Sequence, residues 1–137
     1  MTKELWINLP VKNVAKSKEF FTKIGFTPNT HYPETTDSGC VFVGSKNIAV
    51  MLFLDKTFSQ VCGAEIADTK KGTEVLLSFD AESREEIDEM AKKVVAAGGT
   101  IFGKPSEIQG WMYGMGFIDL DGHRWNMLYM DMAKMPK

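Results

Sequence analysis

The chain lacks the features that would mark it for a membrane or an oxidising compartment. No apolar run approaches the roughly 18 residues of a transmembrane helix, and Glu4 and Pro10 interrupt the N-terminus where a secretion signal needs an apolar core. There are only two cysteines, Cys40 and Cys62, without CxxC spacing, so we predict neither a disulfide nor a thiolate metal site. We therefore expect a cytoplasmic protein.

The chain also has no large excess of positive or negative charge. Charged residues make up 25% of the chain and the net charge is -2, so the sequence offers no concentrated basic surface for a phosphate backbone or an anionic membrane. We expect neither nucleic acid nor a membrane as a partner. Hydrophobic residues make up 44% of the 137 residues, which is enough for one domain with a substantial core.

The sequence contains an internal repeat. Met51-Leu52-Phe53-Leu54-Asp55 returns as Met127-Leu128-Tyr129-Met130-Asp131, and in both copies an apolar strand and a turn precede it. The repeat indicates one supersecondary unit used twice.

The first copy begins with a strand over residues 5–11, where apolar residues alternate with others at period two. Asn13 is a predicted N-cap for a helix that stops at Gly25. Three strands are predicted after it, over residues 26–30, 39–44 and 47–54, and the last two form a hairpin.

The second copy repeats this order. A strand over residues 74–80 precedes a helix whose start has the capping-box pair Ser83 and Glu86. A short strand over 100–102, a loop over 103–110 broken by Pro105, and strands over 112–119 and 124–130 complete it. The pattern predicts an α+β fold in which two βαβββ modules form a curved mixed sheet around a cavity, with the helices outside.

We expect a single domain, residues 1–137, with modules of about 4–55 and 73–131. The connector between them, residues 56–72, is long enough for a mobile arm or a short helix.

Three segments carry a resemblance to a known family. They are Leu9-Pro10-Val11-Lys12-Asn13, Ile24-Gly25-Phe26 and Phe117-Ile118-Asp119-Leu120-Asp121-Gly122-His123. With the paired modules, they resemble the vicinal oxygen chelate superfamily of glyoxalase I, bleomycin-resistance proteins and extradiol dioxygenases. The resemblance covers nearly the whole chain, is nearest to small bacterial proteins described as predicted lactoylglutathione lyases, and implies a homodimer.

Metal-using members of this family offer four inward-facing ligands from their two modules. The resemblance places Trp6, Val50, Glu74 and Asn126 at these positions. Trp and Val supply no donor, and the Asn126 amide stands where metal-using relatives have Glu. We therefore expect no cofactor, with any divalent ion held only weakly.

The predicted cavity face also carries candidate functional side chains. Glu74 is the one charged group expected to project into the cavity, where burial would suit it as a general base; an exposed carboxylate at a frayed strand start is the alternative. The predicted ligand-binding residues are Trp6, Asn8, Val50, Leu52, Ser78, Tyr113 and Asn126. Their polar members can instead satisfy one another or buried water, and their aromatic members can instead pack in the core. We interpret the nine methionines as mainly strand and core residues rather than as a soft-metal site.

These observations favour a protein that binds a small organic molecule in the inter-strand cavity without a catalytic metal. The alternative is a metal-dependent lyase or isomerase of the glyoxalase I type. A third interpretation is a structural dimer module with a vestigial pocket.

Overall fold

A computed structural model describes all residues, 1–137, and the chain divides into two units, Met1–Asp68 and Thr69–Lys137. No helix combines the length and the apolar character needed to cross a membrane.

The first unit has the predicted βαβββ order followed by one more helix. Its elements are β1 (Ile7–Val11), α1 (Val14–Lys23), β2 (Thr27–Pro28), β3 (Ser38–Val43), β4 (Ile48–Leu54) and α2 (Asp55–Cys62). Asn13 caps α1 as predicted, because its side-chain oxygen accepts a hydrogen bond from the Lys16 amide at 3.0 Å. Gly25 ends the helix with a positive φ of 111°.

The strands of the first unit form one mixed sheet in the order β1-β4-β3-β2, and only the β1–β4 pair is parallel. α1 packs against β3 and β4. Gly39 of β3 shows which face of the sheet α1 covers, because a Cβ at Gly39 would lie 2.9 Å from the Val14 side chain of α1. The cross-strand partner of Gly39 is Leu52, so Leu52 faces α1 as well.

The second unit repeats this architecture. Its elements are β5 (Leu76–Ala81), α3 (Arg84–Ala96), β6 (Thr100–Ile108), β7 (Met112–Ile118), β8 (Arg124–Met130) and a 3₁₀ turn (Met132–Lys134). The sheet order is β5-β8-β7-β6, again with one parallel pair, β5–β8. The α+β class and the two βαβββ modules are therefore confirmed, and each repeated segment lies in an inner strand between the first and third strands of its module.

The core of the second unit lies between α3 and the sheet. Ile87, Met90 and Val94 of α3 are buried, as are Phe117 and Trp125 on the strands. The Phe117 and Trp125 rings stack with their centroids 6.2 Å apart.

The structure corrects one prediction about the connections and selects the short helix for the other. The predicted loop over 103–110 is wrong, because β6 continues to Ile108. Pro105 is tolerated there since β6 is an edge strand and its pairing with β7 shifts register between Gly103 and Ser106. The connector between the modules begins as a helix, since α2 extends to Cys62 and ends at Gly63 in the left-handed conformation.

Candidate functional site

The first unit contains a cavity of about 850 Å³ on the sheet face opposite α1. Its apolar floor comes from alternate residues of β3 and β4: Cys40 pairs across the strands with Met51, and Phe42 pairs with Ala49. The complete lining is Lys3, Glu4, Leu5, Trp6, Asn29, Tyr32, Cys40, Phe42, Lys46, Asn47, Ile48, Ala49, Met51 and Phe53. Nine of these fourteen residues are aromatic or otherwise apolar, and five are polar or charged: Lys3, Glu4, Asn29, Lys46 and Asn47.

Hydrogen bonds fix one polar wall of this cavity. The Asn29 side-chain oxygen Oδ1 accepts from the backbone N–H groups of His31 and Tyr32, at 3.0 and 3.3 Å, and the side-chain Nδ2 donates to the Cys40 Sγ at 3.6 Å. The Tyr32 and Ser38 hydroxyl groups lie 3.1 Å apart and share a hydrogen bond. The segment that follows β2 is therefore held against the sheet before any ligand arrives, which lowers the entropy cost of binding.

Of the predicted ligand-binding residues in this unit, Trp6 lines the cavity and is 57% exposed. Asn8 is exposed and shares the cavity face, since it pairs with Met51, but it does not line the cavity.

The prediction that Val50 and Leu52 face the cavity is wrong. They are 1% and 0% exposed and lie on the α1 side of the sheet. Both faces of β4 are apolar, so alternation alone left the inward face undecided, and a shift of one residue moves every side chain to the other face. The cavity residues of β4 are its other set, which includes Met51 and Phe53.

In the second unit, Ser78, Asn126 and Gly116 form one row across β5, β8 and β7. The Asn126 residue is half-buried, and its side-chain oxygen Oδ1 is fully buried without a hydrogen-bond partner. This oxygen is therefore an unsatisfied buried acceptor. The Phe102 ring occupies the space where a Cβ at Gly116 would lie, and the Arg124 guanidinium lies 4.7 Å from the centre of the same ring.

Tyr113 does not belong to that row. Its hydroxyl donates to the Asp88 carboxylate of α3 at 2.7 Å, and the Arg84 guanidinium lies 5.1 Å from its ring centre. The hydrogen bond with Asp88 is the main cause that raises the pKa of Tyr113. The prediction that Tyr113 lines the cavity is therefore wrong, because this side chain points to the helix side of the sheet.

Glu74 lies two residues before β5 and is exposed. The burial that would make it an effective base is absent in this structure, and it remains a candidate on sequence grounds alone.

The turn between β7 and β8 contains a buried carboxylate that sequence reasoning did not single out. Asp119 is 6% exposed; one of its oxygens accepts from the backbone N–H groups of Asp121 and His123 at 2.9 and 3.0 Å, and the other accepts from the Trp125 indole at 3.0 Å. Burial raises the pKa of Asp119, while the charge of His123 and these hydrogen bonds act in the opposite direction. The signal in the sequence was an Asp two residues before Asp121-Gly122, which is typical of an Asx turn.

Comparison with known proteins settles the family. The family model for the glyoxalase/bleomycin resistance protein/dioxygenase superfamily matches residues 5–127. The chain belongs to this superfamily. A hypothetical protein from S. aureus is 32% identical, with 94% of each chain covered and a TM-score of 0.81.

More distant superfamily structures share the fold. A glyoxalase-related enzyme from Fulvimarina pelagi is 15% identical, covers 94% of this chain and 88% of its own, and has a TM-score of 0.78. A glyoxalase/bleomycin resistance protein/dioxygenase family enzyme from Burkholderia phytofirmans PsJN is 16% identical, covers 91% and 96%, and has a TM-score of 0.76. No functionally curated protein matches the chain.

The donor set that the superfamily resemblance assigns does not fit a divalent metal. Trp6 and Val50 carry no ligand atom, and Val50 faces α1. Glu74 is exposed, and Asn126 offers only a neutral amide oxygen. No group of three or more His, Cys, Asp or Glu side chains is placed to hold a metal ion. A catalytic metal of this type needs about three donors of that kind, so we derive no chemical step through one.

Proposed function

We propose that this protein binds a small organic molecule with a planar apolar part in the cavity of the first unit, without a catalytic metal. The observation that carries the proposal is the cavity itself, with Trp6, Phe42, Met51 and Phe53 in its lining. Aromatic rings and a thioether offer large, polarizable contact surfaces to a flat ligand.

The size and the polarity of the cavity agree with this proposal. Small-molecule pockets span roughly 300–1,000 Å³ and combine apolar walls with a few placed polar groups, and the cavity of about 850 Å³ lies within that range. The Asn29 amide and the Tyr32 hydroxyl are the polar groups held in place by hydrogen bonds. They are available to orient a ligand that carries a hydrogen-bonding substituent.

The test is a matched pair of cavity-filling and surface substitutions. Ala49 lies on the cavity floor, and Ala15 is exposed on α1. With the fluorescent aromatic anion 1-anilinonaphthalene-8-sulfonate as the probe, Ala49→Phe should weaken binding at least about tenfold, while Ala15→Phe should leave it unchanged. Near-ultraviolet circular dichroism must show that each variant is folded, because partly unfolded states also bind this probe. Equal probe affinity in both variants would place binding outside this cavity.

Metal analysis separates this proposal from the alternative, a metal-dependent lyase or isomerase of the glyoxalase I type. We expect the purified protein to retain no stoichiometric Zn, Ni or Mn after dialysis. Retention that is lost in Glu74→Gln would overturn the metal-free proposal, and turnover of methylglyoxal with a thiol cofactor would then establish the lyase. We also propose a homodimer, and light scattering of the purified protein tests it.

A further inference from the structure

Four of the nine methionines lie together at the C-terminal end of the second unit rather than in the core. They are Met112, Met130, Met132 and Met135. The last three residues are 40%, 61% and 40% exposed. Core packing does not account for side chains that remain this exposed.

Strand register places the first three of these methionines together. Met112 of β7 pairs directly with Met130 of β8, so both side chains lie on one face of the sheet with their Cα atoms about 4.5–5.5 Å apart. Asp131, the next residue, has an extended backbone with φ -86° and ψ 92°. Met132 therefore projects to the same side as Met130, because alternate residues of an extended chain share a side.

The fourth methionine, Met135, lies at the end of the 3₁₀ turn that begins at Met132. The Met135 N–H donates to the Met132 carbonyl at 3.4 Å, which closes a turn with these two residues at its ends. Asp131 holds this turn, because its side chain accepts from the Ala133 N–H at 3.2 Å and its own N–H donates to the Trp111 carbonyl at 2.8 Å. The turn is thus fixed to the start of β7, next to Met112.

We propose that Met112, Met130, Met132 and Met135 form a binding site for a soft monovalent metal ion, Cu(I) or Ag(I). A thioether is a soft, uncharged donor that suits Cu(I) and is a poor ligand for hard divalent ions. The unbranched methionine side chain has three rotatable bonds, which lets sulfur atoms from neighbouring backbone positions converge on one ion. The Asp131 carboxylate is paired with the Lys134 ammonium at 4.0 Å, so the proposed metal ligands are the thioethers alone.

The experiment uses the methionine methyl groups as reporters. Cys62 is an exposed thiol that would compete for the metal, so Cys62→Ser serves as the parent protein. It is labelled with ¹³C at the methionine methyl groups and titrated with silver nitrate in chloride-free buffer. We expect the signals of the four clustered residues to shift together, while those of the buried Met90, Met115 and Met127 stay in place.

Substitution then assigns the site. The triple variant Met130→Leu, Met132→Leu, Met135→Leu should lower the Ag(I) association constant at least about tenfold, whereas Met90→Leu in the core should not change it. Competition with bicinchoninate under anaerobic reducing conditions extends the measurement to Cu(I). An unchanged affinity in the triple variant, or methyl shifts that do not begin with these four residues, would overturn the proposal.

Discussion

Replacing Asp119 by Asn tests whether the buried carboxylate holds the β7–β8 turn through its contact with Trp125. The amide oxygen of the variant can still accept from the backbone N–H groups of Asp121 and His123. Its NH₂ group, however, would then face the Trp125 indole N–H, which now donates to the carboxylate at 3.0 Å. The substitution therefore places two buried donors against each other.

The expected cost follows from these contacts. A hydrogen bond to a charged acceptor contributes about 1.5–3 kcal/mol, and a buried donor left unpaired costs about 1–3 kcal/mol. Removing a buried charge offsets part of this loss, since burial disfavours the ionised form of Asp119. We expect Asp119→Asn to lower the free energy of unfolding by about 2–3 kcal/mol, and a chain of this length should lose about 3–5 °C in Tm for each kcal/mol.

A double-mutant cycle measured by urea unfolding isolates the indole contact. Trp125→Phe removes the facing donor, so Asp119→Asn should cost about 1–2 kcal/mol less in that background than in the wild type. An equal cost in both backgrounds would refute the role given to the indole, and a cost below about 0.5 kcal/mol in the wild type would refute the buried hydrogen-bond argument.

The same pair of proteins gives a pH dependence. The pKa of Asp119 is raised above its ordinary value of 3.8, so the folded protein binds this proton more tightly than the unfolded chain does. The stability that the proton contributes is complete below pH 3.8 and is lost as the pH rises through the raised pKa. The stability difference between wild type and Asp119→Asn should therefore shrink from acidic to neutral pH; a difference that grows would mean that the folded pKa is lowered instead.

Three further substitutions test other parts of the structure by chemical unfolding. Gly114→Ala should destabilise the protein by about 1–3 kcal/mol, because its Cβ would lie 2.9 Å from a carbonyl oxygen of β8. Gly103→Ala should cost less, since the Cβ there would lie 3.6 Å from its nearest neighbour. Equal effects would contradict the close approach at Gly114. Ser83→Ala should cost about 1 kcal/mol through loss of the α3 N-cap, and no loss would show that the cap is replaceable. Leu52→Ala in the core should lower the free energy of unfolding by about 2–5 kcal/mol. Met51→Ala on the cavity face should lower it less and should weaken binding of the anilinonaphthalene probe. The reverse order of stabilities would contradict the assignment of the two faces.

Local sequence signals predicted most of the secondary structure. β8 has the predicted bounds, and both main helices begin at their predicted caps, since a cap depends only on residues within one turn. The capping box differs in one detail: the Glu86 carboxylate accepts from the N–H of Glu82 rather than that of Ser83. β6 was predicted only over residues 100–102, and its continuation to Ile108 was missed because its pairing with β7 overrides the loop signal of Pro105.

The sequence by itself determined the two-module fold, because the repeat, the strand alternation and the helix caps are local patterns that survive without knowledge of packing. Its motifs carried the resemblance to the superfamily, which the family model then showed. Only the tertiary structure decided which residues face the cavity. On β4 both faces are apolar, and the contact between Gly39 and α1 shows that Val50 and Leu52 belong to the core. On β7 the hydrogen bond to Asp88 places Tyr113 on the helix side. The physical reason is the same in both strands: alternation divides a strand into two faces, but the helix that packs against one of them determines which face remains open.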